Sequence, residues 1–444
     1  MKTMNNSGKG IPMFELITLG MFIIALAICI AAKIDILYAL VFGLFCFNYY
    51  CFRQGYSLRN ILAMMLEGIA KVKIVLTIFV LIGLLTACWR AGGTIPYIIY
   101  HGINYIDPSF YVLGTFLLCC CMSFLLGTCF GTVSTVGVVC MMLSNSAGFD
   151  PLLTGGAIMS GIFFGDRGSP MSSTAQLITA LTQTNIYNNA RLMMKTAVIP
   201  FALTCCFYLF FPSETTQGGI DTTVVKSMAQ AFDLHWLTIL PAALLLTLAM
   251  LRFDVRLAML ASIILCCILT VTMQEVTVSK LMDYLLFGFK VEGNKELAEQ
   301  LNGGGLLSML RVAIIVTVSS SYSGVFFHTK LLTNVKRVIE KMAGYLLPFG
   351  ATLVTSVFTG AVACNQTLTV IITEQLCTDL YKDKTKFALA LANTAMLVSA
   401  LIPWNIAGSV SLTTIDAPVQ CLFYAVYLYL IPLWNWLLAF WGKE

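Results

Sequence analysis

Charged residues are scarce in this chain. Only 11% of its 444 residues are Asp, Glu, Lys or Arg, whereas 59% are hydrophobic and the mean hydropathy is +0.87. Soluble domains usually carry charge on about a quarter of their residues. A soluble fold could not cover so much apolar surface, so the composition predicts a protein that resides in the lipid bilayer.

Histidine is nearly absent, which argues against most kinds of metal-binding and catalytic site. His101, His235 and His328 are the only three, and none has a second ligand at metal-binding spacing. The 16 cysteines lie partly in consecutive groups inside apolar runs. Sequence neighbours point to different sides of a helix, so no CxxC or Cys/His ligand spacing arises. No nucleophile–base spacing appears either, and we therefore expect no cofactor and no enzymatic activity.

A basic patch is also lacking. The net charge is only +5, and Lys and Arg lie between apolar runs and not beside aromatic residues, which predicts no nucleic-acid partner. Basic residues before the first span and between the second and third spans predict a cytoplasmic N-terminus. They are Lys2, Lys9, Arg53, Arg59, Lys71 and Lys73. We expect a multi-pass protein of the cell inner membrane.

Apolar stretches of near-spanning length recur along the whole chain. Roughly 20 apolar residues cross a bilayer as a helix, and several stretches are shorter, so we expect about 10 to 13 membrane segments. The most polar connections, Pro212 to His235 and Gln274 to Gly305, are predicted to be loops or interfacial helices. No soluble domain of core-forming size is left over.

Two interruptions recur in each half of the chain. The stretch GTCFGTVST begins at Gly127, 43 residues before Pro170, and GAVACNQTLT begins at Gly360, 43 residues before Pro403. The two halves are thus offset by 233 residues. In hydrocarbon, broken helices are tolerated only where they face protein or a watery cavity. Paired breaks of this kind point to the binding site of a transporter.

The two halves are predicted to have opposite orientations. The segment Ile95 to Phe110 contains no Lys or Arg, whereas its equivalent, Phe327 to Met342, is basic. The predicted fold is therefore an all-α polytopic membrane protein with two inverted-topology repeats that contain broken helices or re-entrant hairpins. We expect N-terminal membrane helices at 1–52, the first repeat at 53–211, a linker with membrane helices at 212–285 and the second repeat at 286–444.

Hydroxyl and amide side chains are concentrated at the four interruptions. Their oxygens are hard ligands suited to Na⁺, and helix N-termini there offer N–H groups to a carboxylate. Any one hydroxyl more often bonds the carbonyl one helical turn back, so the prediction depends on the clusters. The candidate ion- or solute-binding residues are Thr128, Thr132, Ser134, Thr135, Asp166, Ser169, Ser172, Ser173, Thr174, Asn365, Gln366, Thr367, Asn393 and Asn405. The candidate Na⁺ ligands are Thr132, Ser134, Asn365 and Thr367.

Two further predictions concern the geometry of these interruptions. We expect the break around Thr132 to face the break around Asn365 at mid-membrane, because inverted repeats bring equivalent breaks together. We also expect Asp166 and Arg167 to be structural or gating partners, because charges at a break are costly unless they are satisfied.

Three stretches of the chain match known sequence motifs. GAIMSGIFFGDRGSPMSSTAQ, from Gly156 to Gln176, is similar to the signature GAIxSGAYFGDxxSPLSDTTN. GTCFGTVSTVGV and LIPWNIAGS are similar to GTSWGTAATVGV and LIPWNTCGA. In these motifs the chain resembles the NhaC-type Na⁺/H⁺ antiporter family of the ion-transporter superfamily. The likeness runs from about Gly55 to near the C-terminus. It implies a secondary active transporter with alternating access at a midplane site and Na⁺/H⁺ antiport. The family also includes relatives that move carboxylates or amino acids.

The chain departs from the family where relatives tend to carry acidic residues. Ser173, Asn365, Ala392 and Asn393 stand at such positions, whereas Asp166 is retained. Neutral side chains coordinate Na⁺ but do not hold a titrating proton. These departures favour an alternative, a Na⁺- or H⁺-coupled transporter or exchanger of an amino acid or small carboxylate, with at most weak Na⁺/H⁺ exchange.

The sequence leaves open which residue carries the proton and which oligomer forms. Glu374 and Asp416 are further candidates to carry H⁺. The expected partners are Na⁺, H⁺ or a small organic solute, and a homodimer is compatible with this architecture. A channel is a weaker alternative, because broken repeats around a closed site suit a carrier better.

Overall fold

The computed structural model describes nearly the whole chain and is mostly helical in the part it describes. The described residues are 11–32, 34–70, 72–102, 107–211, 222–251, 253–291, 297–298, 301–329 and 336–442. Within these ranges the only extended pairing is an isolated antiparallel bridge between Phe289 and Gly303.

Twenty-two α-helices are numbered here in chain order within the described ranges. They are α1 (Ile11–Ala31), α2 (Ile36–Arg53), α3 (Leu58–Ala70), α4 (Lys73–Ala91), α5 (Thr94–Gly102), α6 (Pro108–Leu126), α7 (Cys129–Thr132), α8 (Val138–Ser146), α9 (Pro151–Gly168), α10 (Ser173–Thr182), α11 (Ile186–Phe210), α12 (Thr222–Ala231), α13 (Leu240–Met250), α14 (Val255–Thr272), α15 (Val278–Phe287), α16 (Leu310–Thr329), α17 (Lys336–Ala363), α18 (Gln366–Cys377), α19 (Lys384–Asn393), α20 (Ala395–Leu401), α21 (Ile406–Thr414) and α22 (Val426–Phe440).

Seven helical segments of the described chain are long and apolar enough to cross a membrane, or eight if one bent pair counts as a span. They are Ile36–Arg53, Lys73–Ala91, Pro108–Leu126, Cys129–Ser146, Ile186–Phe210, Val255–Thr272 and Ile339–Ala363, and the bent pair is Lys384–Leu401 with Ile406–Thr414. The prediction of an all-α polytopic membrane protein is confirmed. The expected 10 to 13 segments are reached only if shorter apolar helices, such as Val426–Phe440, also cross.

The chain forms two compact units. The first contains Met1–Lys73 and Ile314–Ile406, and the second contains Ile74–Ala313 and Ala407–Glu444. Each unit therefore combines segments from both predicted repeats. Because the units are defined by packing and the repeats by sequence symmetry, the predicted repeat boundaries and the inverted topology stay predictions.

In the first unit, α3 and α16 pack through glycines. A Cβ on Gly68 would overlap the carbonyl oxygen of Ser320, and a Cβ on Gly324 would overlap that of Met64. Lipid gives helices no hydrophobic drive to associate, so close backbone contact between small residues supplies much of the attraction.

In the second unit, α6 and α9 make a similar glycine contact. A Cβ on Gly161 would meet the Cβ of Cys119, and one on Gly165 would overlap the backbone of Ser123. The Ser123 hydroxyl donates to the carbonyl of Gly161 at 2.8 Å and accepts from the N–H of Gly165 at 3.0 Å. This contact fixes the end of α9, which carries Asp166, against the end of α6, where the first interruption begins.

Candidate functional site

The first interruption separates α6 from α7. Gly127 ends α6 with φ of 66°, a left-handed conformation that glycine adopts without steric cost. Thr128 is extended, and its Oγ1 accepts a hydrogen bond from the N–H of Gly131 at 3.5 Å, which caps α7. A π-helical segment, Val133–Gly137, then joins α7 to α8. Such segments are rare and frequently lie at functional sites.

The first interruption contacts the proline break of the same unit. A Cβ on Gly127 would lie 2.6 Å from the carbonyl carbon of Met171, so only glycine allows this approach. The Ser169 hydroxyl donates to the carbonyl of Phe124 at 2.8 Å. Ser172 caps α10 by accepting from the N–H of Ala175 at 3.2 Å. The structure thus brings together Thr128, Ser169 and Ser172, which the sequence predicted at separate breaks.

Asp166 lies where these two breaks meet. Its side chain is 2% exposed, and the Ser172 hydroxyl donates to Oδ1 at 3.1 Å. The thiol of Cys129, at the first turn of α7, also interacts with this carboxylate. A buried carboxylate is costly unless it is protonated, paired or bound to a cation. The binding of an exchangeable ion by Asp166 stays a prediction.

Arg167 is buried beside Asp166 in sequence, with no exposed area. Its Nη2 donates to the carbonyl of Met193 and to Oγ1 of Thr196, both at 2.9 Å, and its Nη1 donates to the hydroxyl of Tyr427 at 3.4 Å. Its guanidinium therefore connects α9 to α11 and α22.

The hydroxyls of the π-helical region bond within their own helix. Thr132, Ser134 and Thr135 are fully buried and donate to carbonyls one turn back, at 2.9, 2.7 and 2.8 Å. A hydroxyl that donates keeps its acceptor lone pairs. These bonds therefore orient the hydroxyl oxygens and leave their lone pairs able to bind Na⁺.

The other two predicted residues of this unit differ in burial. Thr174 is 8% exposed, whereas Ser173, at the first position of α10, is exposed. The family resemblance implies an acid at position 173, and this position is on the surface of α10.

The second interruption, in the first unit, has the same local conformation as the first. Cys364 is left-handed with φ of 54°, and Asn365 is extended and caps α18 by accepting from the N–H of Leu368 at 3.2 Å. Thr369 donates to the carbonyl of Asn365 at 2.8 Å, just as Thr132 donates to that of Thr128.

The matching residues at these interruptions are 237 apart, as in Thr128 and Asn365, whereas Pro170 and Pro403 are 233 apart. The offset of 233 read from the glycines is therefore displaced by about one helical turn at this break.

The second proline break contacts the second interruption. The Asn405 amide donates to the carbonyl of Gly360 at 3.0 Å, and the indole of Trp404 donates to that of Ala361 at 2.8 Å. Gln366 donates to the carbonyl of Met396 at 3.1 Å. The structure thus brings Asn365, Gln366 and Asn405 to one region of their unit.

Asn393 and Thr367 occupy different environments in that unit. Asn393 ends α19 and is 1% exposed, whereas Thr367 is exposed on α18.

Among the described residues no group of three or more His, Cys, Asp or Glu side chains is placed to hold a metal ion. Ligation of Na⁺ by neutral oxygens stays a prediction.

The contacts of Cys129 with Asp166 and of Tyr427 with Arg167 have no sequence signal. Tyr427 is 260 residues from Arg167, and nothing in the apolar run that contains it distinguishes this tyrosine from the others. The charged residue in the break was the only available hint that such a partner exists.

Comparison with known proteins gives one consistent result. The profile of the Na⁺/H⁺ antiporter family matches residues 5–172 and 161–443. The chain is 27% identical to the Na⁺/H⁺ antiporter NhaC of Alkalihalophilus pseudofirmus, over 97% of this chain and 94% of the relative. It is 26% identical to the malate-2H⁺/Na⁺-lactate antiporter of Bacillus subtilis, over 88% and 86%. It is 24% identical to the arginine/ornithine antiporter ArcD of Halobacterium salinarum, over 79% and 74%.

Proposed function

Because this chain belongs to the Na⁺/H⁺ antiporter family, we propose that it is a secondary transporter that exchanges Na⁺ for H⁺ by alternating access. The observation that carries this proposal is the burial of Asp166 where the first interruption meets the proline break. Intramembrane carboxylates are the usual groups that hold either a proton or a cation in such transporters. The carboxylate must then release its proton before it binds the cation, and release the cation before it binds a proton.

Hydroxyl oxygens at Asp166 and in the first interruption support the exchange of a small hard cation. The Ser172 hydroxyl already contacts the carboxylate, and the hydroxyls of Thr132 and Ser134 are held in fixed orientations by their helix. Na⁺ favours such hard oxygen ligands, as Ca²⁺ and Mg²⁺ do. Ligation of Na⁺ by Thr132, Ser134, Asn365 and Thr367 is part of the proposal.

Proteoliposomes with an internal pH-sensitive dye test this function. An imposed Na⁺ gradient is expected to drive proton movement by the native protein, and Asp166→Asn is expected to abolish it, because an amide does not titrate. Asp283→Asn, which changes an exposed carboxylate on α15, is the matched control and is expected to retain full exchange. Unchanged, Na⁺-dependent proton movement in equally abundant Asp166→Asn protein would rule out the role of Asp166.

Exchange of an organic solute is the second candidate function. Ala392 and Asn393 are buried, with 0% and 1% exposure, at positions where relatives tend to carry acids. Fewer titrating groups leave a more neutral site, and two relatives are named for malate–lactate and arginine–ornithine exchange. Robust Na⁺-driven proton movement without any organic solute would reject this candidate, whereas solute-dependent movement would support it.

We also propose the setting in which the transporter operates. The family is one of transporters and not of enzymes. We propose the cell inner membrane as its location, a cytoplasmic N-terminus from the distribution of basic residues, and a homodimer as an assembly to be examined. A protease-cleavable N-terminal tag that is cut only in inverted vesicles would support the orientation, and cutting in right-side-out cells would reject it.

A further inference from the structure

A polar cavity lies in the second unit, away from Asp166. Its volume is about 190 Å³, and it is lined by the end of α4, the end of α8, the loop before α16 and the residues that follow α21. Arg90, Asn145, Gly303 and Asp416 represent these four segments. None of them was among the candidate site residues read from the sequence, although Asp416 was considered as a proton carrier.

Gly303 and Gly304, in a run of three consecutive glycines, line one side of this cavity. Gly303, Gly304 and Gly305 have φ of 129°, 74° and 83°, which side-chain-bearing residues rarely adopt. A Cβ on Gly304 would lie 2.7 Å from the backbone nitrogen of Ala87 in α4. The N–H of Gly305 donates to the carbonyl of Gly83 at 2.8 Å. The glycines thus allow the loop to lie directly on the helix that carries Arg90.

Arg90 presents unused hydrogen-bond donors to the cavity. Its Nη1 donates to the carbonyl of Asn302 at 3.2 Å, which engages one of the five N–H groups of a guanidinium. No other partner of Arg90 within hydrogen-bonding distance is seen in the described part of the chain. The planar fork of an arginine matches the two oxygens of a carboxylate.

Asp416 supplies the opposite charge. It is exposed at the cavity and attracts Arg90 electrostatically, yet within the described residues the two side chains do not form an ion pair of 4.0 Å or less. Its φ is 54°, a left-handed conformation in which Asp is tolerated better than most residues. The ends of α8 and α21, which also line the cavity, carry partial negative charge as helix C-termini.

We propose that this cavity binds a free α-amino acid as a zwitterion, with its carboxylate on Arg90 and its ammonium group on Asp416. Two separated charges of opposite sign fit a ligand that carries both, whereas an anion alone would face Asp416 unfavourably. Cavities for drug-sized ligands span roughly 300 to 1,000 Å³, so this smaller one suits a solute of few atoms. The inference rests on the second candidate function and assigns its solute to a site separate from Asp166.

Ligand-induced stabilisation of the purified full-length protein tests the assignment. The twenty standard amino acids are screened at millimolar concentration by thermal unfolding, because a ligand of the native state raises the apparent stability. The best one is then compared with the 2-hydroxy acid that carries the same side chain. We expect the amino acid to bind at least about tenfold more tightly, since a lost charge-assisted hydrogen bond typically has that effect.

Substitutions separate the two charges. Asp416→Asn is expected to weaken amino-acid binding about tenfold and to strengthen that of the hydroxy acid, which is an anion, whereas Arg90→Gln is expected to weaken both. Asp283→Asn and Arg256→Gln change exposed charges elsewhere in the same unit and serve as controls. Because Asp416 is exposed, its variant is expected to fold even if Arg90→Gln does not.

Several results would overturn the assignment. They are the absence of stabilisation by all twenty amino acids, equal binding of the amino acid and its hydroxy acid, and amino-acid binding that Asp416→Asn leaves intact. Proton movement measured on the same preparation, with and without the amino acid, distinguishes this failure from that of the second candidate function. Amino-acid-dependent movement that Asp416→Asn leaves intact rejects the cavity assignment alone, and amino-acid binding without any amino-acid-dependent movement rejects the second candidate function alone.

Discussion

Arg167 shows how a single buried charge connects distant parts of the second unit. Its guanidinium donates to α11, at Met193 and Thr196, and to α22, at Tyr427. A flexible ammonium group cannot reach these separated acceptors with the same geometry. The residue therefore holds the end of α9, and with it Asp166, in a fixed position.

Arg167→Lys is accordingly expected to lower the stability of the folded protein. Loss of the charge-assisted bonds should cost about 1.5–3 kcal/mol, because the acceptors stay buried and lose their donor. Thermal unfolding in detergent measures the change. Arg191→Lys, at an exposed position of α11, is the matched control. Equal melting temperatures for the two variants would show that the Arg167 contacts contribute little.

The sequence predicted which types of side chain lie at the breaks, but not which contacts each of them makes. The polar composition of the interruptions predicted where the helices break, and Thr128, Ser172 and Asn365 indeed cap the helices that follow. Which hydroxyls bond their own helix was not readable, because Ser and Thr make the same local bond in most membrane helices. The exposure of Thr367 also depends on packing and not on its neighbours in sequence.

The contact between α6 and α9 is the element-level feature that positions Asp166. Gly165 lies against the backbone of Ser123, so that a side chain cannot be placed between the two helices. Gly114, also in α6, has nothing within 4 Å of its Cβ position. Substitution of Gly165 therefore measures helix packing, whereas substitution of Gly114 measures helix propensity.

Gly165→Ala is expected to destabilise the protein, whereas Gly114→Ala is expected to be neutral or stabilising. Overpacking costs about 1–3 kcal/mol or more, and in an open position Ala is the better helix former by about 1 kcal/mol. The yield of monodisperse protein and its melting temperature measure both effects. A melting temperature of Gly165→Ala equal to that of the native protein would contradict the tight helix contact.

The positions of the helix breaks show why the sequence repeat could be aligned only approximately. Glycine positions gave an offset of 233, but the second interruption lies one turn later, at Cys364 and Asn365. A helix break is defined by the residue that becomes left-handed and by the cap that follows, and Cys364 carries no sequence mark of a left-handed residue.

At the scale of the whole molecule, an interruption of the same local form occurs in each unit. Each shows a left-handed residue, a capping side chain and a threonine that donates to the carbonyl of the capping residue. In the second unit, the interruption meets the proline break where Asp166 is buried. We therefore predict that Ser134 and Ser172 bind one Na⁺ ion within that unit.

A double-mutant cycle on the apparent Na⁺ affinity of transport tests this prediction. Ser134→Ala and Ser172→Ala are expected to interact by about 0.5–3 kcal/mol, because two ligands of one ion share a partner. The control cycle pairs Ser134→Ala with Thr247→Ala, at an exposed position of α13. Sites without a shared partner should add to within about 0.5 kcal/mol. Additivity in both cycles would mean that Ser134 and Ser172 do not bind the same ion.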